Sequence, residues 1–385
     1  MPAASYRLLP HYVSFSYGIS DMPLVPPNIQ TLVPYQPGRS ADEIRREFGV
    51  SRVVKLASNE NPLGPSPRAI ERLTAVLDDV HYYPDGGLRL RSDLAQRFRA
   101  RVGNVVVGSG SEAIMSNIIR TFLCDDEEVL TAHGTFIGFY VLARSRGVKL
   151  VTVPLRDFHF DLEAIAARIT AKTKIIYLAN PNNPTGTIFT RDEFERFADR
   201  VPPSTLVILD EAYFEYACDN PDYPDSMLYR MDNVITLRTF SKAYGLAGVR
   251  IGYGMAHEAL CDNVRKVKLM FEPSVLAEAA GLGALEDHEF LARTLDMNRR
   301  GKVQLFNAFS ELGLKVIPTE ANFYLLVFGS EAEALQLYTD LLRRGVIVRP
   351  LGAFGLPECL RITIGTEDQN RILIGALKEV LPVSA

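Results

Sequence analysis

A lysine that follows a buried strand is the residue best suited to carry chemistry in this sequence. Lys242 comes just after the apolar run at residues 234–237, with Ser241 beside it and Arg250 further along. A lysine that is desolvated or placed near other cations can lose its proton, and the neutral amine attacks carbonyl carbons. A hydroxyl and a planar guanidinium nearby suit a phosphate. Together they suit a phosphorylated aldehyde such as pyridoxal phosphate, although a basic surface loop would have the same composition.

A carboxylate and a tyrosine occupy the same kind of position one strand earlier. Residues 205–209 form an apolar run that ends in Asp210, and Tyr213 follows in the same loop. A carboxylate at the end of a buried strand is costly unless it meets a cation. A protonated pyridine nitrogen is such a cation, and the pair would keep the ring electron-poor. Tyr213 could then reach the phenolic oxygen of the ring, whereas a helix cap is the alternative role for Asp210.

A third strand ends in a loop that contains two prolines. The strand predicted at residues 173–179 runs into residues 180–186, where the prolines forbid regular structure. Asn183 is fixed in this loop and can donate a hydrogen bond to an oxygen of a ligand ring. Asn183, Asp210 and Lys242 are 27 and 32 residues apart, about one strand–helix–strand unit. We therefore expect all three at one edge of a mostly parallel sheet.

A glycine-rich turn earlier in the chain is a candidate phosphate site. Residues 108–114 follow a strand and open a helix, where free backbone N–H groups favour a phosphate. Their spacing also fits the loose dinucleotide fingerprint, so a nicotinamide-dependent oxidoreductase is a rival hypothesis. That fingerprint needs an acid at the end of the second strand, where residues 132–134 are Ala, His and Gly. Phe136 follows and either stacks on a flat heterocycle or fills the core.

Composition disfavours several other classes of protein. The 385 residues exceed one ordinary domain, and 47% hydrophobic residues supply a large core. A net charge of −4 and a pI near 6.0 give no reason to expect a nucleic-acid partner. The four cysteines form no CxxC pair, which favours reduced thiols in a cytoplasmic protein. No apolar run is long enough for a membrane span, and we assign no metal-binding residues.

The pattern of breaks and strands predicts how the chain is divided. Residues 1–52 form a proline-broken arm that contributes to the small domain and to dimer contacts, with a short helix at Ala41–Phe48. Residues 53–285 form the large, cofactor-binding domain. Residues 286–385 form a smaller C-terminal domain of strands and helices. The predicted fold class is α/β, with a mostly parallel sheet flanked by helices in the large domain.

These motifs together resemble the histidinol-phosphate aminotransferase group of the fold type I pyridoxal-phosphate aminotransferases. The resemblance covers nearly the whole chain, and its pieces stand in the order typical of the family. The matching segments are PYQPG at 34–38, SNENPLG at 58–64, YPD at 83–85, NNPTG at 182–186, DEAY at 210–213, SKAY at 241–244 and LRITIG at 360–365. The resemblance implies a large-domain sheet of the seven-stranded type and a homodimer whose subunits share active sites.

The resemblance also implies a role for each candidate residue. Lys242 would hold the cofactor as a Schiff base and later shuttle a proton, and Asp210 would pair with the pyridine nitrogen. Phe136 would stack on the ring, and Asn183 and Tyr213 would hold its oxygen. The implied phosphate-binding residues are Ser111, Glu112, Ser241, Arg250 and, from the neighbouring subunit, Tyr83. The implied substrate-binding residues are Tyr35, Asn61, Arg349 and Arg361.

The implied reaction belongs to histidine biosynthesis. It converts histidinol phosphate and 2-oxoglutarate to imidazole acetol phosphate and glutamate, with Arg361 binding an anionic group. An aromatic or other amino acid is the alternative donor, because Glu272 stands where the family commonly has an amide and faces either the substrate or solvent. A PLP-dependent decarboxylase, such as an amino-acid phosphate decarboxylase, is a further alternative. A PLP-fold regulator is disfavoured because residues 1–52 are too short for a DNA-binding domain.

Overall fold

The computed structural model of the protein describes residues 24–34 and 38–381. The helices are α1 Pro27–Gln30, α2 Ala41–Phe48, α3 Pro67–Ala75, α4 Leu88–Arg97, α5 Ser111–Phe122, α6 Ile137–Arg146, α7 Leu162–Ala167, α8 Arg191–Ala198, α9 Phe214–Ala217, α10 Glu258–Val267, α11 Val275–Glu286, α12 His288–Glu311, α13 Glu331–Arg343 and α14 Glu367–Val380. The strands are β1 Val54–Lys55, β2 Val105–Gly108, β3 Glu128–Ala132, β4 Lys149–Val153, β5 Thr173–Ala179, β6 Leu206–Asp210, β7 Val234–Thr239, β8 Gly252–Met255, β9 Lys315–Ile317, β10 Phe323–Val327, β11 Val346–Ile347, β12 Arg349–Pro350 and β13 Cys359–Thr363. Within these described residues, no helix has the length and apolar character needed to cross a lipid bilayer.

Seven strands form the large sheet, in the order β2-β8-β7-β6-β5-β3-β4. Strands β3 to β7 are parallel to one another, and β8 runs antiparallel to both β2 and β7. Side chains from α5, α6, α7, α8 and α10 pack with the central strands in one core, which includes consecutive residues of β5 and hence both of its faces, and side chains from α3, α4 and α11 pack against β2 and β8 in a second core. Because both faces are covered, the central strands are buried along almost their whole length. The predicted α/β class with a mostly parallel sheet is confirmed.

A smaller antiparallel sheet, in the order β12-β13-β10-β9, lies in the C-terminal part of the chain. It packs with α12, α13 and α14 around a separate core. The fully buried members of this core include Leu305, Phe309, Leu326, Leu341, Ile362 and Leu373. Strand β1 pairs in parallel with β11, and the N–H of Leu56 donates to the carbonyl of Ile347 at 2.7 Å. The loop at residues 58–67 is therefore anchored to the C-terminal part of the chain.

The described part of the N-terminal arm contains two short helices. The prediction of α2 is confirmed, and Ser40 caps it by accepting a hydrogen bond from the N–H of Glu43. Ile44 is fully buried and packs against Leu342 beside the smaller sheet. Asn28 in α1 donates to the last backbone carbonyls of α6 at 3.3 and 3.0 Å. The arm thus contacts both sheet-forming parts of the molecule.

Candidate active site

The carboxyl ends of β5, β6 and β7 meet at one edge of the large sheet. Ala179 lies opposite Asp210 in the sheet register, and Asp210 lies opposite Leu237, so β5 and β6 end at one level and β7 extends two residues further, to Thr239. Asn183, Asp210 and Lys242 consequently line one cavity of about 190 Å³. Its full lining is Ser111, Glu112, Phe136, Ala179, Pro181, Asn183, Asp210, Ala212, Tyr213, Thr239, Ser241, Lys242, Ala247 and Arg250.

Lys242 is half-buried on the wall of this cavity. Burial lowers the pKa of its amine to about 8, and the guanidinium groups of Arg361 and Arg250 act in the same direction. The Nζ atom lies 3.4 Å from the carbonyl oxygen of Ser58 and 5.7 Å from the centre of the Tyr213 ring. The side chain therefore offers more neutral amine near neutral pH than an ordinary lysine does.

Asp210 is almost completely buried, and burial raises the pKa of its carboxyl group to about 6. Its Oδ2 accepts a hydrogen bond from the hydroxyl of Tyr177 at 2.7 Å, and its Oδ1 accepts one from the N–H of Ala212 at 3.2 Å. Both donors are uncharged. A cation that entered the cavity beside Asp210 would therefore relieve the cost of burying this carboxylate.

The hydroxyl of Tyr213 and the amide group of Asn183 can both donate hydrogen bonds to a ligand in the cavity. The hydroxyl of Tyr213 accepts a hydrogen bond from Nδ2 of Asn59 at 2.8 Å. Burial raises the pKa of Tyr213 to about 12, so the hydroxyl keeps its proton. Arg361 donates to Oδ1 of Asn183, which leaves the amide N–H groups of Asn183 for another acceptor. An oxygen atom on a bound ring could accept from both residues.

The first turn of α5 and the side chain of Arg250 form a site suited to an anion. Gly110 precedes the helix with a φ of +86°, and within the described residues no side chain caps the first N–H groups of α5, at Ser111 and Glu112. The guanidinium of Arg250 lies 4.0 Å from the Glu112 carboxylate and is half exposed. Ser241 adds a hydroxyl group on the same cavity wall. Helix N–H groups, a guanidinium and a hydroxyl are the donors that hold a phosphate.

Two other aromatic residues expected at the cofactor, Phe136 and Tyr83, lie in different places. Phe136 is half-buried on the cavity wall and packs over Gly138, where an added β-carbon would lie 2.5 Å from its ring. Tyr83 is 78% exposed and stacks on Phe271 with ring centroids 4.1 Å apart. The structure therefore brings together all the expected cofactor residues of one chain and leaves Tyr83 outside the cavity.

A second cavity, of about 320 Å³, shares Lys242, Asn183, Tyr213, Phe136 and Glu112 with the first. Its other lining residues are Ala57, Ser58, Asn59, Ile137, Gly138, Val141, Arg349, Phe354 and Arg361. Arg349 and Arg361 are direct partners in the register of β12 and β13, which places both side chains on one face of that sheet. Two guanidinium groups beside an amine and an apolar wall suit an organic anion.

Arg361 is held firmly in this second cavity. It is almost completely buried, and its Nη2 donates to the carbonyl of Ala57 at 2.9 Å. The guanidinium carbon also lies 5.3 Å from the centre of the Phe323 ring and 5.7 Å from that of Phe354. A guanidinium with a fixed orientation loses little freedom when it binds an anion.

The asparagine that lines the second cavity is not the one predicted to face the substrate. Asn61, expected to face the substrate, lies on neither cavity wall, because its Nδ2 donates to the carbonyl of Ala243 at 2.9 Å. Asn59 lines the second cavity instead and contacts Tyr213. The loop itself was identifiable from its prolines, but the direction of each side chain depends on backbone geometry. Tyr35 lies outside the described residues.

Glu272 faces neither the substrate cavity of its own chain nor solvent. The residue is 7% exposed, and its Oε1 has no hydrogen-bond partner among the residues that the structure describes. Lys268 donates to its backbone carbonyl oxygen rather than to its carboxylate. The expectation that Glu272 faces one or the other is therefore corrected, since packing has buried it elsewhere.

Comparison with known proteins gives one family and closely related members. The model of the family "Aminotransferase class I and II" matches residues 51–377. A histidinol-phosphate aminotransferase of Anaeromyxobacter sp. (strain Fw109-5) is 43% identical over 364 residues, which are 94% of this chain and 100% of the relative. A histidinol-phosphate aminotransferase of Moorella thermoacetica is 40% identical over 367 residues, which are 94% of each chain.

Solved structures agree with this result. Histidinol-phosphate aminotransferase from Sinorhizobium meliloti, in complex with pyridoxal-5'-phosphate, is 30% identical with a TM-score of 0.85, covering 94% of this chain and 98% of that chain. Aspartate aminotransferase from Thermus thermophilus, with maleate, is 22% identical with a TM-score of 0.82 and covers 94% and 100%. At that identity the second likeness concerns the fold alone.

Proposed function

The chain belongs to the aminotransferase class I and II family, and within it we propose that the protein transfers the amino group of histidinol phosphate to 2-oxoglutarate. The products would be imidazole acetol phosphate and glutamate. The observation that carries the choice of substrate is the pair Arg349 and Arg361, side by side near Lys242. Two adjacent guanidinium groups suit a doubly charged phosphate.

Pyridoxal phosphate is the cofactor that the lined cavity fits. The buried carboxylate of Asp210 can pair with a protonated ring nitrogen, and the amine of Lys242, with its lowered pKa, can react with an aldehyde. The N-terminus of α5 can bind a phosphate. When bound, this cofactor supplies an aldehyde that captures amines and an electron-poor ring that takes up electrons released at the substrate carbon. The residues that would hold it are Lys242, Asp210, Asn183, Tyr213, Phe136, Ser111, Glu112, Ser241 and Arg250, with Tyr83 of a neighbouring subunit.

Lys242 is the group that would carry the proton during the reaction. With a pKa of about 8, its Nζ can accept a proton near neutral pH and return it to another atom. Tyr213 keeps its own proton at the same pH and remains a donor. The rings of Phe136 and Phe354 line the cavity wall around Nζ and limit the access of water.

Arg349 and Arg361 would orient the substrate. Their guanidinium groups would bind its phosphate, while the apolar wall at Ile137, Val141 and Phe354 would contact the heterocycle. The same guanidinium groups can bind a carboxylate of 2-oxoglutarate when the acceptor replaces the donor. Because the two substrates would occupy one site in turn, we expect ping-pong kinetics.

A comparison of amino donors tests this choice of substrate. We expect kcat/KM with histidinol phosphate to exceed kcat/KM with dephosphorylated histidinol by about 100-fold, since contacts to a charged phosphate are lost. Phenylalanine and tyrosine, with 2-oxoglutarate as acceptor, cover the alternative of an aromatic donor. Equal rates for histidinol and its phosphate would refute the assignment, and release of CO₂ instead of a keto product would indicate a decarboxylase.

A pair of arginine variants locates the phosphate contact. We expect Arg349→Gln to reduce the preference for the phosphorylated donor by roughly 10-fold or more, because one charge-assisted contact is lost. Arg343→Gln is the matched control, since Arg343 pairs with Asp340 on the surface and lines neither cavity. An unchanged preference in Arg349→Gln would show that the phosphate binds elsewhere.

A homodimer with shared active sites completes the proposed enzyme. Exposed apolar side chains cluster in two segments that meet where Tyr83 stacks on Phe271. They are Leu77, Val80, Tyr82, Tyr83, Leu269, Met270 and Phe271, and we call them the apolar patch. Exposed apolar surface of this kind typically marks a protein–protein interface. Tyr83 would then reach the phosphate site of the partner subunit.

The domain division and the location of the protein are proposed with the same function. The arm comprises residues 1–52, the large domain residues 53–285 and the small domain residues 286–385, with substrate-binding arginines on the small domain. Closure of the small domain over the substrate would follow. A cytoplasmic location is supported by the four cysteines, all of which are free thiols.

A further inference from the structure

A buried tyrosine behind the cofactor cavity makes the shortest contact to Asp210. Tyr177 lies in the centre of β5 and is fully buried. Its hydroxyl donates to Oδ2 of Asp210 at 2.7 Å. Its ring stacks on Phe139 with centroids 4.0 Å apart and planes 11° apart, so both the ring and its hydroxyl are held in one orientation.

The tyrosine can only act as a donor to this carboxylate. Burial, reinforced by the charge of Asp210, raises the pKa of Tyr177 well above its ordinary value, so the hydroxyl stays protonated. Tyr177 does not line either cavity, and it therefore contacts Asp210 without contacting a bound ligand. The hydrogen bond also opposes the effect of burial on Asp210, because it stabilises the carboxylate form.

Among the groups around Asp210, Tyr177 is the one best placed to stabilise its carboxylate form. Among the residues that the structure describes, the carboxylate also accepts from the backbone N–H of Ala212, at the longer distance of 3.2 Å. The ionisable groups nearby are Glu211, which disfavours the carboxylate, Lys242, which favours it, and the buried hydroxyl of Tyr213. Lys242 would be engaged with the cofactor aldehyde and could not serve as a constant counter-charge.

We propose that Tyr177 is a positioning residue, which holds the Asp210 carboxylate ionised and aimed at the pyridine nitrogen of the cofactor. The inference rests on the proposed use of pyridoxal phosphate. Tyr177 fixes Oδ2 from behind, and Asp210 meets the ring from the cavity side. Loss of the hydroxyl would favour protonation of Asp210 and weaken its pairing with a protonated ring nitrogen.

The variant Tyr177→Phe tests the proposal in the holoenzyme, because it keeps the stacked ring and removes only the hydroxyl. We expect the affinity for pyridoxal phosphate to fall by roughly 10-fold, the loss typical of a hydrogen bond to a charged group. We also expect the pH at which the visible absorbance of the bound cofactor changes to rise by up to about one unit. This rise is expected because weaker pairing with Asp210 makes the pyridine ring less positive, and a less positive ring raises the pKa of the titrating group beside it.

Tyr324→Phe is the matched control. Tyr324 is also buried and donates from its hydroxyl to the backbone carbonyl of Lys302 at 3.0 Å, in the C-terminal part of the chain. We expect this variant to leave both the cofactor affinity and the absorbance titration unchanged. A similar shift in both variants would mean that the loss of any buried hydroxyl produces the effect, which would overturn the proposal.

A double-mutant cycle with Asp210→Asn separates positioning from general stability. Because Tyr177 is proposed to act through the carboxylate, Tyr177→Phe should weaken cofactor binding no further once Asp210 is an amide. Equal losses in both backgrounds would show that Tyr177 is merely structural.

A second variant, Phe139→Leu, tests the proposal if Tyr177→Phe does not fold. It loosens the Tyr177 ring but keeps the hydroxyl, so it must lower the affinity for pyridoxal phosphate. Wild-type affinity in Phe139→Leu would then refute the positioning role of Tyr177. Failure of the unmodified protein to bind the cofactor would refute the proposed function instead.

Discussion

Lys242 is the amine that lines both cavities, so turnover should depend on it more than on any other single side chain. We expect Lys242→Ala to lower kcat by more than about 10⁴-fold while the protein stays folded, because a base and nucleophile is lost from a half-buried position. A transaminase assay and circular dichroism measure the two effects. Lys172→Ala, which changes an exposed lysine, is the control, and substantial turnover in Lys242→Ala would contradict the role.

Glu215 is a buried carboxyl group that the proposed reaction does not use. The residue is 7% exposed, its Oε2 has no hydrogen-bond partner within the described chain, and burial raises its pKa from 4.5 to about 7. Between those two values the folded protein binds a proton here that the unfolded chain has released. The contribution of Glu215 to stability is therefore greatest at low pH and is lost as the pH rises to about 7.

We expect Glu215→Gln to remove this dependence on pH. Relative to the unmodified protein, the variant should gain about 1–3 kcal/mol in free energy of unfolding between about pH 5 and about pH 7.5. Urea unfolding of the cofactor-free protein at both pH values measures the difference. Glu163→Gln, at an exposed ion pair with Arg200, should follow the unmodified protein, whereas parallel curves for Glu215→Gln would mean that Glu215 does not titrate in this range.

At the scale of the elements, the loop that carries Lys242 depends on Gly245, which allows this loop to pack closely against the loop at residues 58–67. Gly245 has a φ of +70°, and an added β-carbon would collide with the carbonyl oxygen of Gly64. We expect Gly245→Ala to destabilise the protein by more than about 2 kcal/mol and to weaken cofactor binding, because both strain and collision displace Lys242. Gly248→Ala, where no atom of the described chain lies within 4 Å of the added carbon, should be nearly neutral in thermal unfolding. Similar effects of both changes would exclude loop contact as the cause.

The elements around the site differ in how well the sequence predicts them. Strand ends were predictable, because Asn183, Asp210 and Lys242 each follow an apolar run and interrupt its pattern. The end of α4 is not evident from the sequence: the helix stops at Arg97, and Arg99 adopts a φ of +50°, which a right-handed helix does not permit. The local sequence pattern shows which segment is apolar, but it does not show which backbone conformation ends the helix or strand.

Contacts between distant segments were the least accessible to sequence reasoning. Tyr177 looked like any other core residue of β5, and its contact with Asp210 depends on the register of β5 and β6. The choice between Asn59 and Asn61 likewise depends on how one loop lies against Tyr213. Such pairings are set by tertiary packing, which no local periodicity encodes.

At the scale of the whole molecule, the apolar patch provides a test of the dimer. We expect light scattering to give twice the mass of one chain for the unmodified protein. Phe271→Asp should shift the mass toward that of a monomer, because a charge replaces a half-exposed ring that stacks on Tyr83. Cofactor affinity should fall in parallel if Tyr83 serves the partner site.

The control for this experiment is Leu335→Asp, which places a charge on α13 outside the apolar patch. It should leave both mass and cofactor affinity unchanged. A monomeric mass for the unmodified protein at all concentrations would contradict the shared site.

The pairing of β1 with β11 has a consequence for synthesis on the ribosome. Strands β2 to β8 can assemble as soon as the middle of the chain has emerged, but Val54 finds its partner Val346 only near the end of translation. Leu56 likewise waits for the N–H of Thr363. Until then, the part of the cavity beside Lys242 that is formed by the segment after β1 is incomplete, and β1 must remain unpaired until β11 has been synthesised. The amine-bearing pocket is thus among the last parts of the protein to be completed.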